Sequence, residues 1–129
     1  MTVAALLATA LLFGGSVLYS FGFAAFLFKN LEAQEAGWLL RLAFPHFYVF
    51  VIAIASIAAA LRLPTDGLSA IILAAIALST IPARQILMPA INRASDAGDK
   101  ARFGRLHGVS VALGLVQIAA MAYVLTRFV

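Results

Sequence analysis

Residues 1–28 contain no Asp, Glu, Lys or Arg, and this uncharged run constrains the fold more than any other feature. About 20 consecutive apolar residues are enough for a helix to cross the hydrocarbon core of a bilayer. Three further apolar runs follow, so the sequence predicts spans at about residues 3–28, 43–61, 68–91 and 106–126. We therefore predict an all-α membrane protein in which residues 1–129 form a single transmembrane domain, a bundle of four transmembrane helices.

The composition agrees with this prediction. Of the 129 residues, 64% are hydrophobic and 11% are charged, whereas a soluble domain carries about 25% charged residues. A formal charge of +4 in a soluble protein would point to a nucleic-acid partner, but here the positive residues lie between the apolar runs. We therefore expect the chain to lie in the lipid bilayer, and we expect no nucleic-acid partner.

The segment from Leu31 to Arg41 joins the first two spans and mixes acidic residues, small residues and one tryptophan. This composition is typical of a short helix that lies in the membrane interface. We expect Trp38 at the level of the lipid headgroups, with Lys29 and Arg41 as further interfacial anchors.

Positive charges are distributed unequally between the two sides that the spans define. Seven of the nine lie on the side of the first and third loops, and the other side holds Arg62 and Arg127. Because cytoplasmic loops are enriched in Lys and Arg, both termini are expected outside the cytoplasm. The pattern fits a multi-pass protein of a bacterial inner membrane.

Small residues and prolines mark two of the spans. Ser16, Ser20 and Ala24 recur every four residues, a spacing that lets helices approach closely. In the third span, Pro82 and Pro89 each free a backbone carbonyl, which needs a new partner in lipid.

Six polar residues are predicted to form a pocket at the cytoplasmic end of the bundle. Counting 1.5 Å per residue places the early second span, the late third span and the early fourth span at one depth. Along the fourth span, polar and small residues at spacings of three and four share one face. The predicted pocket residues are His46, Arg84, Asn92, His107, Ser110 and Gln117. Gln117 is the deepest amide and should have a partner on another helix.

Three functions remain open at this point. The sequence has no cysteine and no catalytic motif, which favours a non-enzymatic accessory or transport-related protein without a cofactor, acting as a homo-oligomer or with a partner membrane protein. The alternative is a redox protein that binds haem or a metal through His46 and His107. The third is binding of anionic lipid headgroups by the basic third loop.

Three stretches carry a family resemblance: GFAAFLFKNLEAQEAGWLLRLAFPHFYVF, ARQILMPAINRA and RLHGVS. In their order and spacing the chain resembles the transmembrane protein 205-like family. This resemblance implies a four-helix membrane domain. It also implies that Arg84, His107 and Gly108 correspond to motif residues of the family. His46 stands where other members can have an apolar residue, and the first helix here lacks the histidine of some relatives.

Overall fold

The computed structural model describes residues 2–129, which form four long helices and, within that range, no strand. They are α1 (Thr2–Asn30), α2 (Ala33–Arg62), α3 (Gly67–Asp96) and α4 (Lys100–Thr126). Each predicted span lies inside one of these helices. All four are long and apolar enough to cross a membrane, which confirms the predicted all-α membrane fold.

Two of the helices contain a wider, π-helical turn. In α1, residues Leu18–Phe23 are π-helical between the α-helical segments Thr2–Val17 and Ala24–Asn30. In α3, residues Ala83–Leu87 are π-helical between Gly67–Pro82 and Met88–Asp96. The second π-helical turn lies between the two prolines of α3. The helix therefore accommodates the missing N–H groups by a local change of winding and continues to Asp96.

The expected short interfacial helix is not a separate element. Only Leu31 and Glu32 are extended, and α2 then continues from Ala33 to Arg62 through Pro45. A helix of this length is about 45 Å long, whereas the hydrocarbon core is about 30 Å thick. The polar composition before Arg41 therefore marks where α2 leaves the apolar core, and not where a helix ends.

Aspartates begin the last two helices. Asp66 accepts a hydrogen bond from the Ser69 backbone N–H at 3.3 Å, and Asp99 accepts one from the Arg102 backbone N–H at 3.1 Å. Each carboxylate satisfies an N–H that has no partner within its helix. The turn before Asp99 uses Gly98 with φ of 69°, a conformation that glycine adopts without steric cost.

The helices pack in chain order around a ring, in which α1 contacts α2 and α4, and α3 contacts α2 and α4. The buried core occupies the half of the bundle near the α2–α3 turn. Its members come from all four helices: Leu12, Phe47, Val51, Ala55, Ala58, Leu73, Ile76, Ala77, Met121 and Val124. The other half, near the α1–α2 and α3–α4 turns, is far less filled.

Candidate functional site

A cavity of about 1250 Å³ lies in the less filled half, and all four helices line it. Its lining residues fall between positions 16 and 28 of α1, 33 and 48 of α2, 83 and 96 of α3, and 103 and 121 of α4. Glu35 and Asp96 are exposed residues of that lining, so the cavity reaches the helix ends. The cavity therefore extends from one end of the bundle toward its middle.

Only uncharged polar groups line the deep part of the cavity. Tyr48 of α2 and Ser110 of α4 approach across the ring, with 3.4 Å between the two hydroxyl oxygens. Ser16 of α1 is 2% exposed, and its Oγ has no hydrogen-bond partner. A buried hydroxyl without a partner is uncommon, because its desolvation is left uncompensated. We call these three residues, together with Gln117, the floor of the cavity.

Gln117 does have partners on another helix. Its Nε2 donates to Ser79 Oγ at 2.8 Å and to Thr80 Oγ1 at 3.0 Å, and it lies 3.4 Å from the Ile76 carbonyl oxygen. These contacts join α4 to α3 just before the π-helical turn. The amide thus anchors the floor while its side chain also lines the cavity.

Charged groups line only the part of the cavity close to the helix ends, which we call its mouth. Arg41 of α2 and Asp96 of α3 form a two-pronged ion pair there, with both N–O distances at 2.7 Å. Glu35 also lines the mouth, together with Trp38, whose side chain is 57% exposed. Polarity therefore changes along the cavity, from charged at the mouth to neutral at the floor.

Four of the six predicted pocket residues line this cavity: Asn92, His107, Ser110 and Gln117. The ring of His107 stacks on Phe103, one helical turn earlier, with 5.4 Å between ring centroids and 5° between planes. The residues of α4 that line the cavity include His107, Ser110, Gly114 and Gln117, which recur at spacings of three and four.

His46 and Arg84 do not line the cavity. Successive helical residues turn by about 100°, so His46 lies roughly opposite Phe44 and Tyr48, which do line it. Arg84 Nε donates to the Pro45 carbonyl oxygen at 3.1 Å, and its Nη1 donates to Gln85 Oε1 at 2.8 Å. The arginine therefore joins α3 to α2 beside the cavity.

The two histidines predicted as ligands of a haem or metal thus differ in position. His107 lines the cavity, whereas His46 is exposed on α2. Within residues 2–129, no group of three or more His, Asp or Glu side chains has the spacing of a metal site.

A spacing of small residues in α1, which the sequence analysis related only to helix packing, coincides with the cavity lining. Ser16, Ser20 and Ala24 all line the cavity, so their small side chains leave space open instead of only bringing helices together. Tyr48 and the Arg41–Asp96 pair were not predicted as pocket residues. The one signal for Tyr48 was its position four residues after Phe44, on the same face of α2.

The opposite end of the bundle is closed by a polar cluster. Asp66 Oδ2 and Oδ1 accept hydrogen bonds from Arg127 Nε and Nη2 at 2.8 and 3.0 Å, and Ser69 Oγ donates to Asp66 at 2.6 Å. These bonds, above all those from Arg127, hold the pKa of the Asp66 carboxyl well below its usual range. Arg62 lies 3.9 Å from the Phe128 ring centroid, and its Nη2 donates to the Arg127 carbonyl oxygen. The C-terminal residues are thereby fixed to the α2–α3 turn.

Four apolar helices in a ring, with the cavity between them, define the class of this chain: a multi-pass helical membrane protein. Residues 7–100 match the family described as a domain of unknown function (DUF4149), and the chain belongs to that family. The match covers most of α1 and all of α2 and α3, while α4 lies almost wholly beyond it. Comparison with curated proteins and with solved structures gave no match.

Proposed function

We propose that this protein is a non-enzymatic component of the membrane, accessory to transport or part of it, that holds a ligand in the cavity at its cytoplasmic end. The observation that carries the proposal is the cavity itself, open at one end of the bundle and lined there by convergent polar groups. Small-molecule sites are typically concave and mostly apolar, with a few polar groups that fix orientation. The packed core and the Asp66 cluster close the other end, which favours access from one side only.

The orientation in the membrane belongs to the same proposal. The mouth lies at the end with the α1–α2 and α3–α4 turns, where seven of the nine positive residues are found. Positive-inside counting then puts the mouth in the cytoplasm of a bacterium and both termini outside its inner membrane. Within its family, we place the chain near the transmembrane protein 205-like proteins, on the strength of the three sequence stretches that it shares with them.

A ligand-holding chain of this size needs further copies or a partner to move that ligand across a membrane. Transporters that alternate access are commonly built from two structural repeats, and four spans leave little room for both. The proposal therefore includes a homo-oligomer or a partner membrane protein, which crosslinking in native membranes would identify.

Cysteine accessibility tests the proposal directly, because the sequence contains no native cysteine. Ser110→Cys places a thiol in the cavity, and Val109→Cys places one at the same depth on a side chain that is 56% exposed and outside the lining. Ala97→Cys in the α3–α4 turn serves as the accessible reference. Each variant is treated with a membrane-impermeant thiol reagent in right-side-out and inside-out vesicles.

We expect Ala97→Cys and Ser110→Cys to react only in inside-out vesicles, and Val109→Cys to react in neither. A Ser110→Cys thiol that resists the reagent on both sides would refute a water-accessible pocket. Reaction of Ala97→Cys in right-side-out vesicles would reverse the orientation and leave the pocket in place.

The haem or metal alternative has its own test. It requires His46 and His107 as ligands, so absorption spectra and metal analysis of the purified protein are compared with those of His46→Ala and His107→Ala. Our proposal expects no Soret band and no stoichiometric metal in the wild type. A band or metal that both substitutions remove would replace it by the redox alternative.

A further inference from the structure

We infer that the ligand of this cavity is an uncharged amphiphile whose hydrogen-bonding group, a hydroxyl or carbonyl, enters first and binds at the floor. This inference rests on the proposed function and names the chemical class of the ligand. It follows from the order of polar groups along the cavity, from the vacant hydrogen-bonding capacity at the floor and from the apolar wall between floor and mouth.

The floor selects against charge. Its members Ser16, Tyr48, Ser110 and Gln117 are neutral, and the charged lining residues lie close to the helix ends. Counting along the helices puts Ser16 and Tyr48 roughly 21–22 Å from the turn ends of α1 and α2, near the middle of the bilayer. A charged ligand group at that depth would find no counter-ion, and an unpaired charge there is costly.

The floor also has hydrogen-bonding groups without a close partner. Ser16 Oγ makes no hydrogen bond and is buried in the ligand-free protein. Rotation of the Ser16 side chain toward the cavity would let a ligand oxygen supply the partner that it lacks. The 3.4 Å contact between Tyr48 and Ser110 is long for two hydroxyls, so either can turn to a ligand at little cost.

The wall between floor and mouth is largely aromatic and aliphatic, with Phe21 on α1, Phe44 on α2 and Met88 on α3 among its members. Such a wall suits an apolar chain or ring. At the mouth, Arg41 is already paired by both its Nη atoms to Asp96, and Glu35 is acidic, so neither of these two residues offers a free site for an anionic head.

Trp38 makes this inference measurable, since it is the single tryptophan and lines the mouth. It lies ten residues before Tyr48 on α2, which is roughly 15 Å along the helix. A straight-chain alcohol of similar length, bound with its hydroxyl at the floor, carries its far end near Trp38. A bromine atom at that end quenches tryptophan fluorescence on contact.

The probe is 11-bromoundecan-1-ol, added to the purified full chain in mild detergent. Two controls share its chain and its tendency to enter micelles: 1-bromoundecane, which lacks the hydroxyl, and 11-bromoundecanoate, which is charged. We expect saturable quenching of Trp38 by the alcohol, and only a linear background with the two controls.

Variants assign the effect to the floor. Ser16→Ala and Tyr48→Phe should each weaken the saturable binding by about threefold to tenfold, the value of one hydrogen bond. Ser56→Ala is the matched control, because Ser56 is exposed, lies outside the lining and donates to the Ile52 carbonyl oxygen in its own helix. It should bind the alcohol like the wild type, and thermal unfolding checks that all three variants are folded.

The outcomes separate this inference from the proposed function. Saturable quenching by the carboxylate, or by the bromoalkane as strongly as by the alcohol, would overturn the neutral, polar-group-first ligand and leave a ligand pocket standing. No saturable quenching by any probe would also overturn the inference, and the reactivity of Ser110→Cys then decides separately whether a water-accessible pocket exists.

Discussion

Replacing Gln117 by leucine should destabilise the bundle by about 1 kcal/mol, because interhelical hydrogen bonds in membrane proteins contribute about 0.6 kcal/mol on average and at most about 1.7. Leucine is close to glutamine in size, so packing changes little. Two of the three contacts of Gln117 are short, to Ser79 Oγ at 2.8 Å and Thr80 Oγ1 at 3.0 Å. The contact with the Ile76 carbonyl oxygen, at 3.4 Å, adds little.

The loss stays moderate because the partners of Gln117 are not left without an acceptor. Ser79 Oγ and Thr80 Oγ1 both donate to the Ile76 carbonyl oxygen, at 3.1 and 2.7 Å. Removing the amide therefore leaves no unpaired donor on α3, and the desolvation penalty of an orphaned group does not arise.

Reversible unfolding in mixed micelles of mild and denaturing detergent measures this change. Val116→Leu is the matched control, since it alters the neighbouring residue, which is 67% exposed, and should leave stability unchanged. A double-mutant cycle with Ser79→Ala isolates the pairwise coupling. A loss of more than about 3 kcal/mol, or no coupling with Ser79, would refute the account of this network.

Three further predictions concern packing, pH and the cavity. A Cβ on Gly15 would lie 2.9 Å from an aromatic ring of α2, whereas one on Gly14 would meet nothing within 4 Å. Gly15→Ala should therefore lower the free energy of unfolding by about 1–3 kcal/mol, and Gly14→Ala should not. Equal effects of the two substitutions would contradict the close approach of α1 and α2 at Gly15. Folding lowers the pKa of Asp66 through Arg127, so the ion pair stabilises the fold fully above the unfolded pKa of about 4 and progressively less as pH falls below it. Unfolding curves recorded from pH 7 to pH 3 should show this loss of stability. If stability depends on pH in Asp66→Asn as it does in the wild type, the pair is not the source of the loss. Ser16→Ala removes a buried hydroxyl without a partner, so it should raise the stability of the ligand-free protein by about 1 kcal/mol, and a marked loss would show that the hydroxyl has a structural partner.

The position of each residue along its helix could be predicted from the sequence, whereas rotation about each helix axis could only partly be predicted. The rise of 1.5 Å per residue gives the position along a helix once its ends are known, and the predicted spans lie within the observed helices. Rotation depends on which face packs against the neighbours. On α4 the alternation of polar and apolar residues is clear enough to orient His107 and Gln117 toward the cavity. Around His46, aromatic residues surround the histidine in the sequence and give no such contrast.

The π-helical turns within α1 and α3 could not be predicted from the sequence either. The prolines of α3 predicted a disturbance and freed carbonyls, but not that the helix would respond with a π-helical turn at Ala83–Leu87. The π-helical turn of α1, at Leu18–Phe23, contains no proline and has no sequence signal that we recognise. Such turns shift the faces of a helix by about one residue, so a face read from the residues before them does not hold after them.

The two π-helical turns and the cavity are physically linked. Each begins roughly 18–20 Å from the turn end of its helix by residue count, near the depth of the floor, and residues within or next to each turn line the cavity, Ser20 and Phe21 on α1 and Ala83 and Met88 on α3. On the core side of these turns, α1 and α3 present Leu12 and Leu73, which are fully buried. On the mouth side, the lining of α1 includes Ala24 and Phe28. The π-helical turns of α1 and α3 therefore lie at the boundary between the packed half of the bundle and the half that holds the cavity.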